Sequence, residues 1–345
     1  MVCKKTLLIL SSLLFLCLFS GCSKNKNSQM VLPEDKTSES NYHYTIRLAF
    51  STNMEDPRGR ACQLFKEEVE KRTEGRIHIS IYPDGQLGSD SELIQSVMND
   101  VLDMTVSSAG NFAVYATKLG ISAMPFLFSD FESAWKFMDS SIIAEVNQSL
   151  GEYNMVVLSH YDNGFRCVTT TSRPVRTVAD MAGLQIRTPL NQIVMETMSV
   201  LGANPKPYSF NELKEALRSG LFDSQENPIP VIYNSALYEE QKYLSITNHS
   251  YDAMPLVIRK SLWEQLRMED RSVMLIAAKM AQNENRRLVK EQTESYVGKL
   301  KEKGMVVIYP DLEPFVKATS NVLDTFSAVY GEELIANFRE ALEKE

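Results

Sequence analysis

Groups able to do chemistry are few in this 345-residue chain and stand far apart. The histidines, His43, His78, His160 and His249, form no HExxH pair and no cluster with cysteine, so no zinc-type ligand set is legible. There is no P-loop and no GxSxG elbow. These absences weigh against metal-assisted, nucleotide and serine-hydrolase chemistry without deciding it, since many enzymes lack short motifs. What stands out is an arginine. Arg187 closes the run Leu184-Gln-Ile-Arg187, directly before Thr188-Pro189 and the start of a helix. A guanidinium at the end of a strand can be aimed by a rigid element into a cleft. Its planar fork there matches a carboxylate with two parallel hydrogen bonds. Taken alone, Arg187 also fits an ordinary surface salt bridge.

The patterning supplies the elements that would position it. Tyr44-Thr-Ile-Arg-Leu-Ala-Phe50 alternates, with Ile46, Leu48 and Phe50 on one face, as a strand does. Asp56-Pro57 reads as an N-cap and first helical residue, followed by Ala61, Phe65 and Val69 at helical spacing and a stop at Gly75. Ile77-His-Ile-Ser-Ile-Tyr82 alternates again. Strand, helix, strand implies a parallel pair. Further strands are expected over 102–106, 155–158, 165–171, 184–187, 244–247, 255–259 and 306–309. Helices are expected around Leu93–Met98, over 131–150, 178–181 and 191–201, from a Ser209/Glu212 capping box to Gly220, over 261–301, and from Pro314 onward. No internal repeat is visible. The alternation predicts an open α/β fold whose ligand sits beyond the carboxyl ends of strands, or in a cleft if the chain forms two lobes.

Composition sets limits. At 44% apolar and 23% charged the chain reads as a soluble globular protein. The net charge of −8, or −10 once the two lysines of the leader go, argues against a nucleic-acid partner. Lys4 and Lys5, the apolar run Thr6–Phe19 and the small residues Ser20 and Gly21 form an export signal. The run is shorter than the ~20 residues that span a bilayer. Ser20-Gly21-Cys22 resembles a bacterial lipobox, with Phe19 where leucine is usual, and makes Cys22 the expected lipidation site. An ordinary secretory leader with an incidental Cys22 is the alternative. Residues 23–41 are polar and read as a disordered tether. Cys62 and Cys167 are the cysteines left in the folded part; buried free thiols are expected, and a disulfide is the alternative outside the cytoplasm.

Three strings carry more than local information: Leu201-Gly-Ala-Asn-Pro205, Tyr208-Ser-Phe-Asn-Glu-Leu213 and Asp223-Ser-Gln-Glu-Asn-Pro228. With Ile81-Tyr-Pro-Asp-Gly-Gln-Leu-Gly88, Asn163-Gly-Phe-Arg166 and Asp180-Met-Ala-Gly-Leu-Gln-Ile-Arg187 they resemble, in order and from about Tyr44 onward, the solute-binding proteins of TRAP transporters, the DctP-like family. The resemblance implies a two-lobed periplasmic-binding-protein-like α/β fold, with crossing strands, a long connecting helix and a ligand cleft between the lobes. The expected division is 1–21 signal peptide, 22–42 lipidated cysteine and tether, 43–162 with 251–290 lobe I, and 163–250 with 291–345 lobe II.

It also implies roles. Arg187 matches the family's carboxylate-clamping arginine, Arg166 a second pocket arginine, Asn227 an asparagine bonded to the ligand acid and Phe210 an aromatic packed on the ligand. Each has a plainer reading: Arg166 as a structural pair between strands, Asn227 as a turn former before Pro228, and Phe210 as a helix staple. Ser51, Asp90 and Ser108 fall where ligand-specific contacts lie in some members, and Glu226 is a further polar candidate. Asp90 would accept from hydroxyls or only cap the helix after it. Serine at position 108, where the sialic-acid branch has glutamate, argues against sialic acid. The expected function is binding rather than catalysis, with no metal or cofactor. The protein is expected to be monomeric and membrane-anchored, and to capture a sugar acid (hexuronate or aldonate) for integral-membrane TRAP permease subunits. A C4-dicarboxylate is the alternative ligand, and ligand sensing for a signalling receptor the alternative role.

Overall fold

A computed structural model describes residues 44–331 and 335–336. The leader, Cys22 and the tether lie outside the described residues. The strands are β1 (Tyr44–Ala49), β2 (Ile77–Tyr82), β3 (Met104–Val106), β4 (Met155–Thr170), β5 (Gln185–Thr188), β6 (Asn204–Pro207), β7 (Ser224–Pro228), β8 (Tyr243–Arg259) and β9 (Val306–Ile308). The helices are α1 (Pro57–Arg72), α2 (Asp90–Met98), α3 (Ala109–Phe112), α4 (Phe131–Met138), α5 (Ser141–Gln148), α6 (Gln192–Val200), α7 (Leu213–Arg218), α8 (Ile229–Asn234), α9 (Lys260–Trp263), α10 (Met268–Glu302), α11 (Glu313–Thr319) and α12 (Val322–Tyr330).

The sheet runs β2-β1-β3-β8-β4-β7-β5-β6, with β9 also beside β8. Its spine is the antiparallel pair β4/β8, in register from Met155 opposite Arg259 to Thr170 opposite Tyr243. At one end β3 pairs with the last residues of β8, and β1 and β2 follow in parallel. At the other end β7 pairs with the last residues of β4, β5 and β6 follow in parallel, and β9 pairs with the first residues of β8. Two groups of parallel strands are thus joined by two strands that belong to both.

Each end has its own apolar core. Ile46, Leu48, Phe65, Ile77 and Leu256 pack with Met274, Ala277 and Ala281 of α10. Leu213, Leu217, Ile232 and Leu244 pack at the far end with Leu300 of the same helix. Ile186, Ile193 and Phe315 form a third cluster with Phe128 and Phe137. At 35 residues α10 is about 50 Å long, so one helix serves cores at both ends.

Several expectations change. The pairs 155–158/165–171 and 244–247/255–259 are not separate strands but the ends of β4 and β8. Between those ends lie His160, Asp162 and Asn163, and His249, Ser250 and Asp252, buried polar residues that break the apolar alternation. The helix expected over 131–150 is two, α4 and α5. The break is at Asp139, which accepts from Lys279, Gln282 and both Nη atoms of Arg286. β6 and β7 went unread because Asn-Pro-Lys-Pro and Ser-Gln-Glu-Asn-Pro carry no apolar pattern. The Ser209/Glu212 box does not form: α7 begins at Leu213 with Glu212 as its N-cap residue and no side-chain cap. The helix expected over 261–301 is the short α9, a break and then α10. Cys62 and Cys167 are buried free thiols, and burial pushes the Cys167 pKa up to about 11. No helix among the described residues is long and apolar enough to cross a membrane.

The spine is irregular where the two ends meet. Register shifts fall at Val157/Ser159, Asp162/Gly164 and Arg166/Val168. Gly164 has φ +110°, and a Cβ there would stand 3.2 Å from Cγ1 of Val289 on α10, so only glycine lets strand and helix meet at the bulge. Beside it Asp162 is buried, accepting hydrogen bonds from Trp135 Nε1 at 2.8 Å and from the Tyr251 hydroxyl. Burial pushes its carboxyl pKa up from 3.8 to about 7, against the Trp135 hydrogen bond and Arg286. The folded chain therefore holds this proton at pH values where the unfolded chain has lost it. The associated stability is complete below the ordinary carboxylate range and is lost as pH rises from about 4 to about 7. Asp162→Asn removes the titration, so melting temperature should fall less between pH 5 and 8 than in the parent. Parallel curves would show that Asp162 does not titrate there.

Candidate functional site

The carboxyl ends of β1, β3 and β5 and the middle of the spine face a common space. An inner chamber of about 30 Å³ is walled by Ser51, Asp90, Ser108, Asn163, Arg166, Arg187, Phe210, Asn227 and Asp252. It meets an outer chamber of about 300 Å³. Asp90, Asn111, Arg187, Pro189 and Phe210 line both chambers, so the two form one cleft with a narrow floor.

Arg187 lies where β5 ends. β5 runs parallel between β6 and β7, and Pro189 stops it. Asn191 then caps α6, accepting from the amides of Ile193 and Val194. The side chain is only 3% exposed. Its Nε and Nη2 both donate to the Tyr208 carbonyl, at 2.9 and 2.7 Å. The guanidinium carbon stands 5.9 Å from the centre of the Phe210 ring, within cation–π range. Among the described residues it has no carboxylate ion-pair partner. Burial draws its pKa down to about 10, with Glu226 opposing and Arg166 adding to the effect. Arg187 is therefore a charged, desolvated group whose anchoring bonds leave Nη1 free.

Arg166 is different. On β4, opposite Pro228 of β7 and Ser250 of β8, it donates from Nε and Nη2 to the two oxygens of Glu226, from Nη1 to Asp252 at 2.6 Å, and from Nη2 to Asn227 Oδ1 at 3.2 Å. Burial alone would lower its pKa, but the two carboxylates outweigh that and raise it. Burial likewise works to raise the pKa of Glu226, and Arg166 and a hydrogen bond from His249 reverse the sign. Glu226 is fully buried behind Arg166 and reaches neither chamber wall, so it holds Arg166 rather than facing the cleft. Asn227 does reach the inner wall, where its Nδ2 is held by Gln225 at 2.5 Å.

On the opposite wall Asp90 begins α2. Its Oδ1 accepts from Ser51 at 3.0 Å and Ser107 at 2.9 Å, with Arg58 Nη1 4.0 Å away. The cap of α2 is instead Ser89 with Glu92, so Asp90 is free to serve the cleft. Ser108 donates to Asp252 at 2.5 Å and Asn163 Nδ2 does so at 2.8 Å. The sequence candidates other than Glu226 thus converge on one wall lining. Asp252, Arg58 and Asn111 were missed; an acid between Tyr251 and the apolar run Ala253–Ile258 was the available signal for Asp252. Gly85 (φ +62°) makes room for Asn211, the residue after Phe210: a Cβ there would stand 2.3 Å from Asn211 Nδ2. Asn211 also donates to the Gly88 carbonyl at 3.4 Å.

Residues 48–328 match the family model of DctP, the bacterial extracellular solute-binding proteins, family 7. The chain belongs to this family, the TRAP solute-binding proteins. It is 33% identical over 284 residues, covering 82% of this chain and 87% of the relative, to the 2,3-diketo-L-gulonate-binding periplasmic protein YiaO of Escherichia coli (strain K12). It is 25% identical over 330 residues, 94% of this chain and 93% of the relative, to the C4-dicarboxylate-binding protein DctB of Bacillus subtilis (strain 168). A TRAP periplasmic solute-binding protein from Polaromonas sp. JS666, bound to D-erythronate, superposes with a TM-score of 0.83 at 33% identity, covering 86% of this chain and 98% of that one. The two strand groups are accordingly the two lobes of a TRAP binding protein. The chambers lie between walls contributed by both groups, and α10 is the connecting helix.

The two arginines should separate in stability measurements on ligand-free protein. Arg166→Ala leaves Glu226 and Asp252 buried without their cation and should cost about 3–5 kcal/mol. Arg187→Ala removes an unpaired buried charge and leaves one carbonyl without its donor, and should change stability by no more than about 1–2 kcal/mol. Urea unfolding of both variants decides, and equal losses would contradict the division of roles.

Proposed function

We propose that this protein captures a sugar monocarboxylate, an aldonate or hexuronate, in the cleft at Arg187 and presents it to a TRAP permease. The observation that carries the reading is the state of Arg187: buried, charged, oriented by the Tyr208 carbonyl, and without a carboxylate of its own. A ligand carboxylate would complete the ion pair in a desolvated site, where charge-assisted bonds are strongest. Phe210 offers an apolar face beside it, and Asn227, Asp90 and Asp252 offer polar groups for hydroxyls. Sugar-acid names on the relatives from Escherichia coli and Polaromonas support this class. A C4-dicarboxylate is the second reading, favoured by Arg166 beside Arg187 on one chamber and by the name of the Bacillus relative.

Ligand contacts with both walls would favour the closed arrangement over an open one. The spine irregularities between residues 157 and 168 would be the place that flexes, with lobe I taken as 43–162 plus 251–290 and lobe II as 163–250 plus 291–345. Cys22 would carry the lipid, holding a monomeric protein near its permease and raising its effective concentration. A thermal-shift screen of aldonates and hexuronates, followed by calorimetry, tests the ligand reading: Arg187→Ala should weaken the best ligand at least 100-fold, and near-parental affinity would overturn the clamp. Cys22→Ser should release the protein from washed membranes; unchanged retention would refute the anchor.

A further inference from the structure

The inner chamber is lined by three arginines, Arg58, Arg166 and Arg187. Three carboxylates stand among them. Asp90 faces Arg58, with Ser51 accepting from Arg58 and donating to Asp90. Glu226 and Asp252 both hold Arg166. Three positive and three negative groups cancel, and Arg187 alone lacks a carboxylate partner. The acids on the wall are also not saturated. Asp90 Oδ1 takes two hydroxyl donors while its Oδ2 has no hydrogen-bond partner among the described residues. Asp252 accepts three bonds, from Ser108, Asn163 and Arg166, of the four that a carboxylate accommodates.

From this balance we infer that Asp252 and Asp90 set the charge capacity of the cleft: it accepts one carboxylate, at Arg187, and its remaining walls accept hydroxyl donors and repel a second carboxylate. The inference rests on the reading of the cleft as the ligand site and narrows it to polyhydroxy monoacids. A second carboxylate reaching the inner wall would meet Asp90 or Asp252, with Arg166 already paired to Glu226 and Asp252 and only Arg58, 4.0 Å from Asp90 and with a buried Nε that lacks a partner, left to offset the repulsion. Two like charges about 4 Å apart at an effective dielectric constant of 20 repel strongly enough to lower affinity roughly 1,000-fold. Partial compensation by Arg58 and Arg166 leaves an expected discrimination of about 100-fold. A hydroxyl at the same place donates to the open lone pairs of either acid.

The test uses the full chain and matched ligand pairs that differ only at the far terminus: D-erythronate against meso-tartrate, and D-galactonate against galactarate. Calorimetry on the parent should show the monoacid of at least one pair binding about 100-fold tighter than its diacid. Asp252→Asn adds one net positive charge to the chamber and should shrink that ratio at least 10-fold, with the diacid gaining affinity in absolute terms. Asp252 is buried against Arg166, so Asp90→Asn, at a more accessible position, is the second variant and should move the ratio the same way. A parent that binds the monoacid and the diacid equally in every pair it recognises overturns the inference and leaves Arg187 as the clamp. So does a ratio that neither folded variant changes, with folding checked by thermal melting. Absence of binding by all four acids removes the reading of the cleft, and this inference falls with it.

Discussion

A guanidinium buried at the junction of three strands is the constraint around which this structure is organised. Arg166 sits on β4 where β7 joins on one side and β8 on the other. Taking its charge out of water costs several kcal/mol even after relaxation, and the fold offsets that with two carboxylates: Glu226 from β7 and Asp252 from β8. The ion cluster therefore ties together the strands that cross between the lobes. It also decides which side chains can face the cleft. Glu226 is consumed behind Arg166, whereas Asp252 and Asn227 are brought to the wall.

Arg187 gains its meaning from that arrangement. Arg166 and Arg187 stand on one small chamber, yet their electrostatic surroundings are opposite. One is over-supplied with negative charge and serves architecture. The other is oriented by a backbone carbonyl and an aromatic face, neither of which neutralises it. Low dielectric strengthens whatever charge pair forms at Arg187, which is the physical basis of its proposed role as the point of capture. The narrow floor and the wider outer chamber describe a cleft that widens away from Arg166.

The scaffold and the ligand preference are separable. Relatives of this chain carry names for a diketo-gulonate and for C4-dicarboxylates at comparable coverage, so the shared fold does not by itself choose among carboxylates. In the proposed reading the choice lies with a few polar side chains on the two walls, and here those include acids with open acceptor positions.

Much of this was readable without coordinates. Apolar alternation marked β1 and β2, and helical spacing with a capped start marked α1, because those elements bury one face and leave the other in water. Arg187 at the end of a strand before proline was legible for the same local reason, and the motif strings pointed to the family. The tertiary structure alone decided three things. It fused four expected strands into β4 and β8, whose buried polar middles look like loops in sequence because their partners are groups distant along the chain. It separated the roles of Arg166 and Arg187, since charge compensation depends on residues 60 and 86 positions away. It also brought Asp252 to the wall beside Ser108, 144 positions apart. Periodicity reports which face of an element is buried; only folding in space reports which charges meet there.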